Sequence, residues 1–406
     1  MDLPAPLAVG PGIPLGPVLT AISERLTTGG PPLLPRPVGT EPPEQLTPAE
    51  RTDPLLAGAA AVLATSGSSG TPRRVALPAA SLRASGSATA QRLGGPGQWL
   101  LALPAHHVAG FQVLARSAQA GTVPVVLPPG PFTATAFSAA SARLDPGVRH
   151  YTSLVPTQLS RVLEDPGAAA ALASFDAVLI GGAALPDPTR EALTAHRVPV
   201  VTTYGMTETC GGCVYDGSPL PGMRVALEAD GRIRLGGAAV AAGYLGMPEL
   251  TAQRFVTDED GVRWFRTDDL GELDPATGRL RVLGRIDDVI NTGGLKVAPA
   301  DVESALLGLP EVRAAVVLGI PDPEWGQRVA AAVVLRDAPP AGAAADADLT
   351  AAVRQALRGR LPGHVLPRQV VRVGELPLLA SGKPDRVALR ALLARGSGRI
   401  GGQPRS

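Results

Sequence analysis

Ala59-Ala-Ala-Val-Leu-Ala-Thr-Ser-Gly-Ser-Ser-Gly-Thr-Pro-Arg-Arg74 runs from a small-residue apolar stretch straight into a turn of glycines and hydroxyls. The apolar half, Ala59 to Leu63, has the length and character of a buried strand. The turn suits a phosphate. Gly67 and Gly70 let the backbone approach closely and take unusual dihedrals. Thr65, Ser66, Ser68, Ser69 and Thr71 offer hydroxyls, and successive N–H groups can form an anion-binding nest. It is not a Walker A loop, because Gly67 and Gly70 are too close and no Gly-Lys-Ser/Thr follows. A flexible Ser/Gly linker would have the same composition, so the surroundings must decide.

Outward from this loop the pattern is α/β. Apolar runs of strand length at Val62, Trp99 to Leu103, Val123 to Leu127, Ala177 to Ile180 and Val198 to Thr202 alternate with Ala-rich helical stretches. This predicts a sheet covered by helices. Upstream, residues 15–28 read as a helix, Pro31 to Pro35 as a short extended piece and residues 36–54 as a surface loop. Downstream, short alternating segments between residues 223 and 282 suggest a small antiparallel or barrel-like subdomain. A second, smaller α+β domain is expected from Asp287 to residue 395. Within it Val302 to Leu307 and Leu349 to Leu361 read as helices, and Val312 to Leu318 and Val329 to Leu335 as strands. Asp337 to Asp348 reads as a low-complexity loop and residues 396–406 as a disordered tail. The expected division is therefore a large domain over residues 1–286 and a small one over 287–395.

Composition narrows the function classes. The chain has 406 residues, enough for one large and one small domain with a real core. Its formal net charge of +1 gives no argument for nucleic acid or an anionic membrane surface. No apolar run approaches the about 20 residues of a membrane-spanning helix, and the start carries no secretory signature. Cys210 and Cys213 are the only cysteines, so a disulfide framework is not expected and a reducing, cytoplasmic setting is. Their C-x-x-C spacing lacks the second pair that a zinc site would use. Nothing in the sequence fixes an oligomeric state; a homo-oligomer stays open.

Four further blocks follow the loop in order: Tyr204-Gly-Met-Thr-Glu-Thr209, Thr267-Asp-Asp-Leu-Gly271, Gly284-Arg-Ile-Asp-Asp288 with Gly293-Gly294, and Ser381-Gly-Lys-Pro384. Together, over about residues 59 to 393, they resemble the adenylate-forming superfamily of acyl-CoA synthetases, luciferases and peptide-synthetase adenylation domains. The resemblance implies a large ATP- and acyl-binding domain and a small mobile lid. It implies activation of a carboxylic acid by ATP and Mg²⁺ to an acyl-adenylate, then transfer to coenzyme A. It puts Thr65 to Thr71 on the β- and γ-phosphates, with Arg73 and Arg74 where such families often carry Lys; a guanidinium still suits phosphate. Gly181-Gly182-Ala183 would edge the adenine, and Tyr204, followed by Gly205, would lie against it. Thr207 would meet the α-phosphate and Glu208 would hold Mg²⁺, a hard ion that takes oxygen ligands. Asp269 would bind the ribose hydroxyls, with Arg285 beside the ribose or phosphate. Asp287 would be the hinge, Lys383 the adenylation lysine, and Gly293, Gly294 and Lys296 would face coenzyme A.

Three segments are narrower still: Leu103-Pro-Ala-His-His-Val-Ala-Gly-Phe-Gln-Val-Leu114, Tyr151 to Leu159, and Thr207 to Gly217. They are similar to the o-succinylbenzoate–CoA ligases of menaquinone synthesis, particularly the short actinobacterial type. That substrate is an aromatic keto-diacid, so one end of its pocket must be polar. His106 or His107 would pair with the spectator carboxylate, with Thr209, Gly211 and Gly212 as donors and His106 also gating the reaction. Another acyl- or aryl-CoA ligase, a stand-alone adenylation enzyme, or a non-catalytic nucleotide-binding descendant are the competing readings.

Overall fold

The computed structural model describes residues 5–39, 46–65, 73–182, 187–336, 346–378 and 384–395. It divides into two compact units. The larger comprises Met1–Ala184, Ala192–Thr267 and Leu273–Arg281; the smaller comprises Leu185–Glu191, Asp268–Glu272 and Val282–Ser406.

A seven-stranded sheet is central to the larger unit. Four of its parallel strands, Gln98–Leu101, His150–Leu154, Ala177–Ile180 and Val200–Met206, pair in sequence order, and Val125–Val126 adds to the outer side of Gln98–Leu101. Parallel strands need crossovers, and the helices Val108–Ala120, Ala134–Ser141, Pro156–Leu163, Pro166–Ala173 and Asp187–Ala195 fall in those connections. Gly211–Tyr215 turns back antiparallel on Val200–Met206, and Ser218–Pro219 closes the far edge. A second sheet runs Ala5–Val9, Leu33–Pro37, Ala59–Thr65, Arg73–Pro78, Gly243–Tyr244. One large cluster, including Leu63, Leu77, Trp99, Phe111, Leu179 and Tyr244, forms the core.

The region expected to be barrel-like is a five-stranded sheet, Met223–Leu227, Arg232–Gly237, Arg263–Leu273 and Phe255–Thr257 in order, with Leu280–Arg285 also on Arg263–Leu273. In the smaller unit, Val312–Asp322 and Gly326–Leu335 form a long antiparallel ladder. Side chains alternate across a strand. Val317, Val329, Ala331 and Val333 accordingly face the cluster of helices Pro299–Leu307 and Asp346–Leu357. Val316, Leu318, Ile320, Ala330 and Ala332 face helix Arg386–Arg395 through Leu389 and Leu393.

Several boundaries differ from expectation. Ala5–Val9 and Arg73–Pro78 are strands that the sequence reading passed over. The extended piece lies at Leu33–Pro37, not 31–35. The loop over 36–54 contains a helical turn, Pro48–Arg51, fixed by a capping box between Thr47 and Glu50. The helix expected at Leu349 starts at Asp346 and ends at Leu357. The tail 396–406 lies outside the described residues.

Candidate active site

Parallel α/β sheets bind ligands beyond the carboxyl ends of their strands. In the larger unit Pro104–His107 follows Gln98–Leu101, Gly181–Gly182 follows Ala177–Ile180, and Thr207–Thr209 follows Val200–Met206. The topology thus brings three separate sequence motifs to one edge of one sheet.

Tyr204 to Thr209 ends the strand, and Thr207–Thr209 is a single 3₁₀ turn. The return strand pairs Gly211 with Met206 and Gly212 with Gly205. Gly205 leaves no room for a side chain: a Cβ there would sit 2.2 Å from the Gly211 carbonyl oxygen. Cys210 takes the left-handed conformation at the turn (φ 50°) and Gly211 follows at φ 93°. The Thr209 hydroxyl accepts from the Met206 amide at 3.0 Å and donates to the Gly211 carbonyl at 2.9 Å. Thr209 is fully buried. Its hydroxyl is thus engaged in shaping the turn. The Cys210 carbonyl accepts from Gln112 Nε2 at 2.5 Å and from Ser85 Oγ at 3.0 Å.

Glu208 is buried, and its Oε1 accepts the Tyr244 hydroxyl at 2.8 Å. Its carbonyl accepts from the Ala241 amide at 2.9 Å. Burial, then the adjacent Glu208 charge, push the Tyr244 phenol far above its usual range, so it stays a donor. The Arg73 guanidinium lies 5.6 Å from the Tyr244 ring centroid. Tyr244 and Gln112 were not singled out from sequence, because each acts across a fold contact rather than within a motif. Arg74 is buried in an ion pair with Glu50 at 2.6 Å, which anchors the strand after the loop. Thr65 pairs with Arg73 across the antiparallel hairpin Ala59–Thr65/Arg73–Pro78. Ser66, Gly67, Ser68, Ser69, Gly70 and Thr71 lie outside the described residues.

His106 is half-buried and His107 exposed, with ring centroids 4.2 Å apart. Burial, and then His107, hold the His106 imidazole down at about 4. His106 is therefore neutral at pH 7 and can offer a hydrogen bond rather than a charge. His107 is the residue before helix Val108–Ala120. The first turns of that helix border the hairpin: a Cβ on Gly211 would lie 3.2 Å from Gln112 and 3.9 Å from Val108. Gly110 permits this packing, since a Cβ there would meet the Pro104 carbonyl at 2.3 Å. A side chain at Gly181 would meet the Thr203 hydroxyl at 2.6 Å, and Gly182 has φ 85°. Ala183 lies outside the described residues. Cys210 and Cys213 are free and buried, and burial raises both thiols, Cys213 to about 12. They are protonated core residues rather than reactive thiolates.

In the smaller unit, Asp268 accepts from Arg285 at 3.4 Å, and its carbonyl takes the Ile286 amide at 2.8 Å. Asp269 is half-buried one residue on. Asp287 is exposed within a turn closed by the Asp288 and Val289 amides on the Arg285 carbonyl. Asp288 pairs with Arg386 at 3.2 Å. Gly293 (φ 60°) and Gly294 (φ 81°) form the two-residue turn between Ile290–Thr292 and Leu295–Val297. A Cβ on Gly293 would meet the Trp325 ring at 2.7 Å. Lys296 is exposed on the second of these strands. Lys383 lies outside the described residues; the flanking Leu378 and Pro384 form an antiparallel bridge.

Among the described residues no three His, Cys, Asp or Glu side chains cluster as a ready-made metal cage. A single buried carboxylate fits Mg²⁺, which is usually held by one or two carboxylates together with substrate phosphates and water.

These elements make an adenylate-forming fold, and the family profiles agree. The profile described as AMP-binding enzyme matches residues 22–271, and that of the AMP-binding enzyme C-terminal domain matches residues 301–383. The chain belongs to the AMP-binding enzyme family. It is 48% identical over 332 residues to a Mycobacterium tuberculosis protein named "Probable 2-succinylbenzoate–CoA ligase", covering 81% of this chain and 83% of that one. The 2-succinylbenzoate–CoA ligase of Geobacillus kaustophilus is 34% identical over 361 residues, 83% of this chain and 70% of that protein. Among solved structures, the o-succinylbenzoate CoA synthetase of Bacillus subtilis with its acyl-adenylate intermediate aligns with a TM-score of 0.66 at 28% identity. That alignment covers 86% of this chain and 70% of the synthetase. The same synthetase has also been solved with ATP and a magnesium ion, aligning at a TM-score of 0.65 and 29% identity over 82% of this chain and 70% of that one. No helix among the described residues is long and apolar enough to cross a membrane.

Proposed function

We propose that this chain is an AMP-forming acid–thiol ligase acting on o-succinylbenzoate in menaquinone synthesis. In the first half-reaction a carboxylate oxygen of o-succinylbenzoate attacks the α-phosphorus of ATP. The bond to the bridging oxygen breaks and pyrophosphate leaves. In the second, the sulfur of coenzyme A attacks the acyl carbon, the acyl–oxygen bond breaks, AMP leaves, and o-succinylbenzoyl-CoA forms. The observation that carries this reading is the Glu208 carboxylate, buried at the carboxyl end of the sheet and held by Tyr244 beside the glycine hairpin.

The roles follow the motifs. Residues 65–71 take the β- and γ-phosphates, Gly181 to Ala183 and Tyr204 the adenine, and Asp269 and Arg285 the ribose and its phosphate. Glu208 is the residue for Mg²⁺, which when bound offsets the negative charge of the phosphate oxygens. Thr207 meets the α-phosphate and Lys383 the reacting carboxylate. The acyl pocket lies where helix Val108–Ala120 meets the Cys210–Gly211 turn. There His106, His107 and the Gly211 and Gly212 amides serve the diacid, and the helix N-terminus favours its second negative charge. Residues 287–395 act as a lid that turns about Asp287, so that Gly293, Gly294 and Lys296 serve coenzyme A. A cytoplasmic location belongs to this proposal, in keeping with a reaction on small-molecule substrates.

Half-reactions test the assignment. Wild type should release pyrophosphate from ATP only when o-succinylbenzoate is present. Lys383→Ala should lose most of that release yet still make thioester from pre-formed acyl-adenylate. Equal loss in both steps would remove Lys383 from its role, and no acid-dependent release in wild type would favour a non-catalytic nucleotide binder.

A further inference from the structure

We propose that the larger unit carries a second site, a pocket for a small oxyanion built around Arg116 at the opposite end of the central sheet from the candidate active site. Four charged side chains are buried among the described residues: Glu50, Arg74, Arg116 and Glu208. Glu50 and Arg74 pair with each other, and Glu208 takes the Tyr244 hydroxyl. Arg116, only 7% exposed, has no hydrogen bond and no ion pair among the described residues, and its Nε is buried without an acceptor. The Trp99 ring lies 5.2 Å from its guanidinium carbon. That contact satisfies the face of the cation but none of its five N–H donors. A buried cation without a counter-charge is strongly destabilising, so the arrangement calls for an anion.

Space for one is present. A cavity of about 150 Å³ lies between helices Ala79–Leu93 and Val108–Ala120, bordered by Arg116, Trp99, Tyr151, Thr89, Gly95 and Gln119. No carboxylate lines it. Of the other polar side chains, the Ser87 hydroxyl and the Trp99 indole N–H have no hydrogen bond among the described residues; the rest have partners. Tyr151 donates to the Leu93 and Gly95 carbonyls at 3.1 and 3.0 Å, Thr89 is shared with Tyr215 at 3.1 Å, and Gln119 donates to the Arg83 carbonyl at 3.1 Å. A side chain at Gly97 would meet the Arg149 carbonyl and the Tyr151 ring at 2.6 Å, so backbone and ring close one wall. The guanidinium is the one charged group left to recognise a ligand, with the Ser87 hydroxyl and the Trp99 indole N–H as further donors, and it suits a carboxylate or phosphate head in a forked contact. The cavity is small by the standard of drug-sized ligand pockets, which restricts the ligand to a compact anion.

The location separates this site from the first. Trp99 lies at the start of strand Gln98–Leu101, whereas the candidate acyl motif follows that strand's end. Arg116 sits one helical turn beyond Gln112, the residue that holds the Cys210 carbonyl. Helix Val108–Ala120 therefore joins the two places.

Trp99 supplies a local probe. The full-length protein, labelled with 5-fluorotryptophan and with the Trp99 signal assigned through Trp99→Phe, is titrated by ¹⁹F NMR with inorganic phosphate and, separately, with benzoate. Ionic strength is held constant with chloride. A saturable shift of the Trp99 signal with at least one of the two is expected, and which one responds identifies the head group. Arg116→Met should weaken that response by at least about tenfold and, without oxyanion, melt at a higher temperature than wild type. Arg116→Gln serves the same comparison should the Met variant not fold. A Trp99 signal unmoved by both anions at millimolar concentration, or a shift that survives in the Arg116 variants, overturns the proposal.

Discussion

The Tyr244 hydroxyl is 2.8 Å from a Glu208 oxygen inside the protein, and this contact helps orient the carboxylate. Partners of this kind typically matter by about 10- to 100-fold in metal affinity or activity. Tyr244→Phe should fold normally, lower kcat/KM for pyrophosphate release by about that factor, and raise the Mg²⁺ concentration needed for half-maximal rate. A Mg²⁺ titration of the variant matching wild type would show that Glu208 is oriented by something else. His106 gives a prediction of another kind. Its imidazole is held down at about 4 against an ordinary 6.5. Between these values the unfolded chain binds the proton more readily than the folded one, so acid favours unfolding. The contribution of neutral His106 is therefore fully present above pH 6.5 and is lost as pH falls towards 4. Denaturant unfolding at pH 7 and pH 5 should show a smaller stability difference for His106→Gln than for wild type; an unchanged difference would mean that His106 titrates normally. Glu208, Gly205 and the paired histidines were legible in the sequence because each lies inside a short motif. Tyr244 was not, since it reaches Glu208 from 36 residues away. Nor was the assignment of Thr209 to the turn, because a hydroxyl's partner is set by backbone geometry that composition does not encode.

At the level of elements, strand Arg73–Pro78 depends on a buried ion pair. Arg74 and Glu50 meet at 2.6 Å with 8% and 11% of their side chains exposed. The same Glu50 oxygen accepts the Thr47 amide at 2.7 Å and closes the cap of Pro48–Arg51. Glu50→Ala would leave Arg74 buried without its partner carboxylate, at a cost of about 3–5 kcal/mol. Urea unfolding measures this directly, and a loss below about 1 kcal/mol would mean that the pair is solvated and contributes little. The alternation of apolar runs with Ala-rich stretches revealed the parallel sheet and its helices. It did not reveal Arg73–Pro78, whose two arginines read as a continuation of the phosphate loop. Nor did it reveal Ala5–Val9 or the true start of Leu33–Pro37, where prolines mask edge strands. The helical turn at Pro48–Arg51 was signalled by Thr47 and Glu50 at capping-box spacing, a cue hidden by the surrounding Pro and Thr.

Over the whole molecule, two units carry the motifs. The Tyr204 to Thr209 hairpin and the His106–His107 segment belong to the larger, and Asp268, Asp269, Arg285 and the Gly293–Gly294 turn belong to the smaller. The order of motifs along the chain was enough to read the enzyme class, because each block carries a separate chemical requirement: phosphate, adenine, metal, ribose and thiol delivery. Substrate choice was less legible, since on the proposed reading it rests on where helix Val108–Ala120 meets the Gly211 turn, and that is a matter of packing. The central claim is that the acyl substrate carries a second carboxylate. The most direct measurement compares kcat/KM for ATP- and CoA-dependent thioester formation on o-succinylbenzoate and on its analogue lacking the spectator carboxylate, with palmitate alongside. A buried donor left without its partner costs about 1–3 kcal/mol, so the diacid should be favoured by at least about tenfold, and palmitate should be poor. Equal rates on the two acids, or a preference for palmitate, would contradict the account.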